Sequence, residues 1–262
     1  MMCVHGQDGP VKHAQTLEGV VKRTWVGFIG FMAAVGFVLP HSAGAVTPEG
    51  MPTHHLADLS AAVDHPLVPL TSVPSKTFTG EEIDPETGKK ISLRVEETVL
   101  TKVEQVSGVP VTIVKVDDYH DGELTKTTED YFAQAPDGTV YYLGERVDEF
   151  QDGQVVGHEG AWLAEPNGNP PGLFMPPSPM VGQTFNQEQT PGVAEAQSKV
   201  VAIDQTVTSA GGTFTGCIQT EDRELLDGVT EQKTYCPGVG LVREEFSGGH
   251  IELVEFETKP AQ

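Results

Sequence analysis

The stretch VPVTIVKVDDYHDGELTKTTEDYFAQAPDGTVYYLGERVDEFQDGQVVGHEGAWL, Val109–Leu163, decides how this 262-residue chain is read. Asp121-Gly122, Asp137-Gly138 and Asp152-Gly153 divide it into four runs rich in Val, Ile, Thr, Tyr and Phe. Asp-Gly between alternating runs signals a tight hairpin, because a type I′ turn needs positive φ at both central residues. The runs carry the residues that suit a pleated, half-buried surface. The spacing predicts four antiparallel strands.

Two-residue loops at each turn would fix the register. One face then shows Val111, Phe132, Leu143 and Trp162 in a row, then Ile113, Asp130, Glu145 and Gly160, then Lys115, Thr128, Val147 and His158. Asp130 and Glu145 stand opposite one another in the middle of an apolar face. Like charges so placed are destabilising, and two carboxylates in a low-dielectric site cannot both ionise cheaply. The pair reads either as a structural network, neutralised by a cation such as Lys115, or as the centre of a site with His158 beside it. A bulge would shift the register and turn side chains to the other face.

The flanking chain sets the compartment. Lys22-Arg23, the apolar run Trp25–Leu39 and the small-residue stretch Ala43-Gly44-Ala45 have the layout of a Sec-type secretory signal peptide over residues 1–45. Its apolar run is short for a membrane span, which takes about 20 residues. Residues 46–262 hold 13 Lys and Arg against 36 Asp and Glu. A balance so acidic disfavours nucleic acid and anionic membranes as partners and suits solubility or cation binding. Cys217 and Cys236 flank the turn at Asp227-Gly228, opposite one another on neighbouring strands. In an oxidising compartment that predicts a structural disulfide. The protein is expected to be secreted or periplasmic.

Residues 46–75 read as an N-terminal arm with a short helix over Leu56–Val63, and its His54, His55 and His65 are either incidental or ligands for a transition metal such as copper. A single antiparallel β domain spans 76–258, followed by a tail over 259–262. Ile91, Leu93, Val95, Val99 and Val103 share one face of a strand, with Glu97 expected to be turned out by a bulge. A Pro-rich segment over 165–192 reads as a crossover loop carrying Phe174, Met175, Met180 and Phe185, best suited to plugging one end of the sheet. The fold expected is all-β, a meander of about nine strands forming a strongly curved sheet or barrel. The chain has no nucleophile elbow, phosphate-binding loop, zinc-protease motif, dinucleotide fingerprint or EF-hand loop. The acidic run Asp117–Glu123 lacks EF-hand spacing and reads as a hairpin tip.

Several of these residues also form a pattern. Asp130-Tyr131-Phe132-Ala133-Gln134, Gly144-Glu145, Gly160-Ala161-Trp162, Pro171-Gly172-Leu173-Phe174-Met175-Pro176 and the run Lys233–Val242 resemble a family of secreted bacterial β-proteins of unknown function. The resemblance covers about Val109–Glu245 and carries no activity with it. It differs in having Tyr131-Phe132 where a Trp-Tyr pair is typical, and in its two cysteines. It implies that Asp130, Glu145, Gly160 and Trp162 are motif positions.

Three functions suit this reading. The favoured one is a non-catalytic binding or envelope protein holding a small apolar or cationic ligand against Phe132, Leu143, Trp162 and Met175. The second is an extracellular enzyme with Asp130 and Glu145 as acid and base and His158 assisting, although directly opposed carboxylates leave little room for a substrate. The third is a calcium-stabilised module with Asp130 and Glu145 as oxygen ligands.

Overall fold

The computed structural model describes residues 55–165 and 168–259. The segment over 1–45 expected to be a signal peptide, and His54, lie outside the described residues. What is described is all-β apart from one short 3₁₀ turn, Leu56–Asp58, where a helix over Leu56–Val63 was expected. The first strands are β1 (Ser75–Ile83), β2 (Lys90–Val99), β3 (Glu104–Val106), β4 (Val109–His120) and β5 (Glu123–Gln134). Then come β6 (Val140–Gln151), β7 (Gln154–Gly157), β8 (Trp162–Leu163), β9 (Gly172–Met175) and β10 (Thr184–Thr190). The last are β11 (Ala194–Ser209), β12 (Gly212–Glu224), β13 (Thr230–Cys236), β14 (Gly240–Phe246) and β15 (Gly249–Glu257).

Fifteen strands, not about nine, make one antiparallel sheet in the order β10-β11-β12-β13-β14-β15-β1-β2-β4-β5-β6-β7. The shorter β3 pairs with β4, and both β8 and β9 pair with β6. The surplus over the expected count comes largely from β9 and β10, formed inside the Pro-rich segment, and from the fragments β3, β7 and β8. The sheet curls until its two ends meet. A Cβ on Gly172 of β9 would fall 1.6 Å from the carbonyl oxygen of Gln187 on β10, so only glycine permits that approach. No backbone ladder joins β9 to β10 among the described residues, so the curl is not a closed barrel.

Turn chemistry explains where the meander holds to its expected register and where it departs. Asp121 and Gly122 have φ of 50° and 87°, and Asp152 and Gly153 have 51° and 71°, as type I′ turns require. The middle turn is different: the loop runs over 135–139, and only Gly138 has positive φ. It is closed by hydrogen bonds from the Gly138 N–H to the Ala135 carbonyl and between Ala135 and Thr139. That shifts the register at Phe132, which stands opposite Tyr142 and not Leu143. A bulge between Asp130 and Phe132 then restores it, so Asp130 does pair with Glu145. A second bulge, between Asp118 and Tyr119, slides β4 by one residue. Val114 and Val116 therefore take the inner positions expected for Ile113 and Lys115, Asp118 follows opposite Lys126, and Lys115 pairs with Asp117 instead.

The arm closes one end of the curl. Ser60 and Gln134 exchange backbone hydrogen bonds of 2.9 and 2.8 Å, and the Gly238 N–H donates to the Pro66 carbonyl. Between these anchors Leu59, Val63, Leu67, Leu70 and Val73 are buried against the sheet. Cys217 and Cys236 are disulfide-bonded between β12 and β13, with Cα atoms 4.1 Å apart, as expected from the sequence. The bond spans 19 residues of chain. Constraint of the unfolded chain by a loop of that length is worth about 3 kcal/mol. At about 2–4 °C per kcal/mol for a domain of this size, reduction should lower Tm by roughly 6–12 °C. Melting curves with and without reductant test this, and an unchanged Tm would mean the bridge adds no stability.

Candidate functional site

The inner face of the curl is unusual in what it buries. Among the described residues, nine carboxyl side chains and three lysines are less than a tenth exposed. Strand alternation puts them there: Lys126, Thr128 and Asp130 on β5 and Asp222 and Glu224 on β12 all share the inward parity of their apolar neighbours.

At the centre Asp130 is fully buried and Glu145 is 1% exposed. Asp130 accepts hydrogen bonds from the Tyr142 hydroxyl at 2.7 Å and the Thr128 hydroxyl at 3.2 Å. Both Glu145 oxygens lack a hydrogen-bond partner. Burial pushes the Glu145 carboxyl well up, and the neighbouring Glu188 and Asp130 push it further, against the pull of Lys126. Asp130 is likewise raised by burial, with Tyr142 and Lys126 opposing. Both groups are therefore neutral acids over much of the range in which an exposed carboxyl is ionised.

Glu188, on β10, was not anticipated because it lies in the segment read as a loop. Its carboxylate accepts the Trp162 indole N–H at 3.0 Å. That bond ties β8, at one end of the sheet order, to β10 at the other. Trp162, and not Gly160, stands opposite Glu145, because the register shifts along β6 between β7 and β8. From Trp162 a line of rings crosses the interior. Tyr142 meets Trp162 at 5.6 Å, Phe132 meets Tyr142 at 5.1 Å, Phe174 meets Phe132 at 4.9 Å, and Tyr235 meets Phe174 at 6.3 Å. Phe132 and Trp162 thus belong to one aromatic line. Leu143 and Met175 are buried core residues.

His158 is not part of this centre. Its side chain is 66% exposed and its Nδ1 lies 2.7 Å from the Val147 carbonyl and 2.9 Å from the Asp148 carboxylate. The register shift after β7 carries it to the surface, so a dyad with an assisting histidine is not assembled. Glu97 is also placed differently from expectation. β2 pairs in continuous register with β1 and β4, and Glu97 points inward, 2.5 Å from Lys76. His65 is buried in the arm, its Nδ1 accepting the Leu67 N–H, while His55 is exposed. No three His, Cys, Asp or Glu side chains among the described residues converge closely enough to hold a metal ion. Asp130 and Glu145 would have to take up calcium with no third protein carboxylate in place.

An apolar pocket opens where the aromatic line reaches the arm, with about 430 Å³ of empty space, open mouth included. Leu67, Leu70 and Val73 of the arm form one wall, and Phe132, Phe174 and Tyr235 form the other. The Lys76–Glu97 ion pair supplies its polar groups.

No family model matches the chain, and no curated protein does either. A solved structure described as a "putative lipoprotein" from Parabacteroides distasonis aligns over 72% of this chain and 97% of its own. Identity is 12% and the TM-score 0.37, too low to carry an argument about fold or function. No helix of the described residues is long and apolar enough to cross a membrane.

The buried acids make stability depend on pH. Burial raises Asp118 and Glu224 to about 7, well above their unfolded values. A carboxyl that binds its proton more tightly when folded stabilises fully below its unfolded pKa, about 4. That stabilisation is lost as pH rises through the folded value. Tm should therefore fall between pH 5 and pH 8, and Glu145→Gln should raise Tm at pH 8 and flatten the dependence. A Tm that climbs over this range in calorimetry would mean the acids are ionised and compensated inside the fold.

Proposed function

We propose that the protein is a secreted or periplasmic, non-catalytic binding protein whose ligand occupies the arm-capped pocket. One observation carries this: an apolar pocket walled by arm and sheet residues, with the Lys76–Glu97 ion pair in its lining. Apolar walls with a few convergent polar groups are what small-molecule sites present. The ligand class is a small, mostly apolar molecule with one polar group.

Extracytoplasmic location is part of the same proposal. It rests on the leader-like segment over 1–45, on the bonded cysteines, and on the motif resemblance to secreted bacterial β-proteins. The acidic composition supports a small-molecule or envelope ligand over nucleic acid. Catalysis by Asp130 and Glu145 draws no support from the geometry, since both are sealed from solvent and His158 faces away.

A neutral fluorescent probe, N-phenyl-1-naphthylamine, should bind one to one with enhanced emission. Val239→Trp, which adds bulk to the pocket lining, should weaken it at least tenfold even where overpacking lowers Tm, provided circular dichroism shows the variant folded, and Phe174→Ala should also weaken it. Binding that both variants leave unchanged would place the ligand elsewhere.

A further inference from the structure

The arm that covers one end of the curl carries a histidine where it is fastened to the sheet. Among the described residues His65 is the one histidine less than a tenth exposed. It stands between two anchors. On one side the Gln134 side chain, at the end of β5, accepts the Asp64 and His65 N–H groups at 2.9 and 3.0 Å and donates to the Asp64 carboxylate at 2.7 Å. On the other, the Pro66 carbonyl accepts the Gly238 N–H at 2.8 Å. The residues that follow, Leu67, Val68, Pro69 and Leu70, are the arm's wall of the apolar pocket.

The imidazole holds the turn into that wall. Its Nδ1 accepts the Leu67 N–H at 3.1 Å, and the His65 carbonyl accepts the Val68 N–H at 2.9 Å. A ring nitrogen that accepts an N–H carries no proton, so His65 is neutral here, with its proton on Nε2. The single lone pair of the ring is spent on Leu67, which leaves none for a metal ion. Protonation turns Nδ1 into a donor facing another donor. It strips a buried backbone N–H of its acceptor, which is costly, at the point where the chain enters the pocket wall.

We propose that His65 is a pH-operated latch, whose protonation releases the arm from the sheet and opens the apolar pocket. Opening takes Leu67, Val68 and Leu70 off the pocket, so acid frees whatever the pocket holds. That release rests on the pocket being a ligand site. Undocking does not, and it is measured without ligand.

The sign follows from the surroundings of the ring. Burial holds the imidazole below its usual value, outweighing the Pro177 and Pro176 carbonyls and the Asp64 carboxylate, which favour the proton. Asp64 is the charged group that acts on the ring, and the group facing it from β5 is the uncharged Gln134. An undocked histidine titrates near 6.5. The docked arm is therefore fully favoured above about pH 6.5 and loses that advantage as pH falls through the lower docked value. The buried acids act in the opposite sense, since they lose their stabilisation as pH rises.

The test is hydrogen–deuterium exchange of the full chain at pH 7.5 and pH 5, corrected for the pH dependence of intrinsic exchange. The expected result is several-fold faster exchange at pH 5 in peptides covering Leu67–Val73, with peptides from β11 and β12 unchanged. His65→Asn keeps an acceptor in the place of Nδ1 and should remove the response. If that variant misfolds, wild type decides by 15N NMR: His65 Nδ1 should be unprotonated at pH 7.5 and should titrate below about 6.5. Arm exchange that is flat with pH, an equal response in folded His65→Asn, equal loosening of β11 and β12, or a His65 that titrates above that value each overturns it.

Discussion

The fold depends on side-chain contact between the two ends of a sheet that no backbone ladder closes among the described residues. Trp162 reaches from β8, paired to β6, and donates its indole N–H to Glu188 on β10 at 3.0 Å. An open sheet of this many strands could keep one face wet. Once its ends touch, that face becomes an interior, and every side chain of inward parity leaves water. The Gly172 approach to Gln187 provides the close passage, and the arm from Leu59 to Val73 covers one opening.

The acids are the consequence. In an open antiparallel sheet Asp118, Asp130, Glu145 and Glu244 would be ordinary solvated residues. Inside the curl they lose hydration, and among the described residues three buried lysines offset nine carboxyls. The interior answers by holding protons, as the upward shifts of Asp118, Asp130, Glu145 and Glu244 show. A buried pair of acids adds little to folding stability compared with apolar residues of similar size. Stability therefore gives no reason for these residues to stand here. Perturbed carboxyls in a concave setting are commonly functional groups.

Much of this was legible in the sequence, and the misreadings have local physical causes. Asp-Gly pairs located the hairpins, and the facing of Asp130 and Glu145 follows from them, but through two departures that cancel. The 135–139 loop moves the register one way at Phe132, and the bulge beside Asp130 moves it back. The bulge at Asp118 has no such partner, so β4 presents Val114 and Val116 inward where Ile113 and Lys115 were expected. Nothing in the local sequence marks that bulge. β9 and β10 escaped notice because prolines on either side gave a loop texture to segments that pair only with distant strands. Glu188 was missed with them. Glu97 shows the reverse error: its period-two position was inward, and a bulge was invoked to remove a charge that Lys76 in fact neutralises.

The buried lysines divide the acids between the two ends of the interior. At the arm end the Lys76–Glu97 pair lines the pocket, so a guest there gains chiefly by covering Phe132, Phe174 and arm leucines. At the far end Asp118 stands opposite Lys126 and Glu244 opposite Lys233 in the strand register. Between them the line from Trp162 to Tyr235 packs the centre and excludes water from Asp130 and Glu145. That packing gives the central acids no route to a ligand.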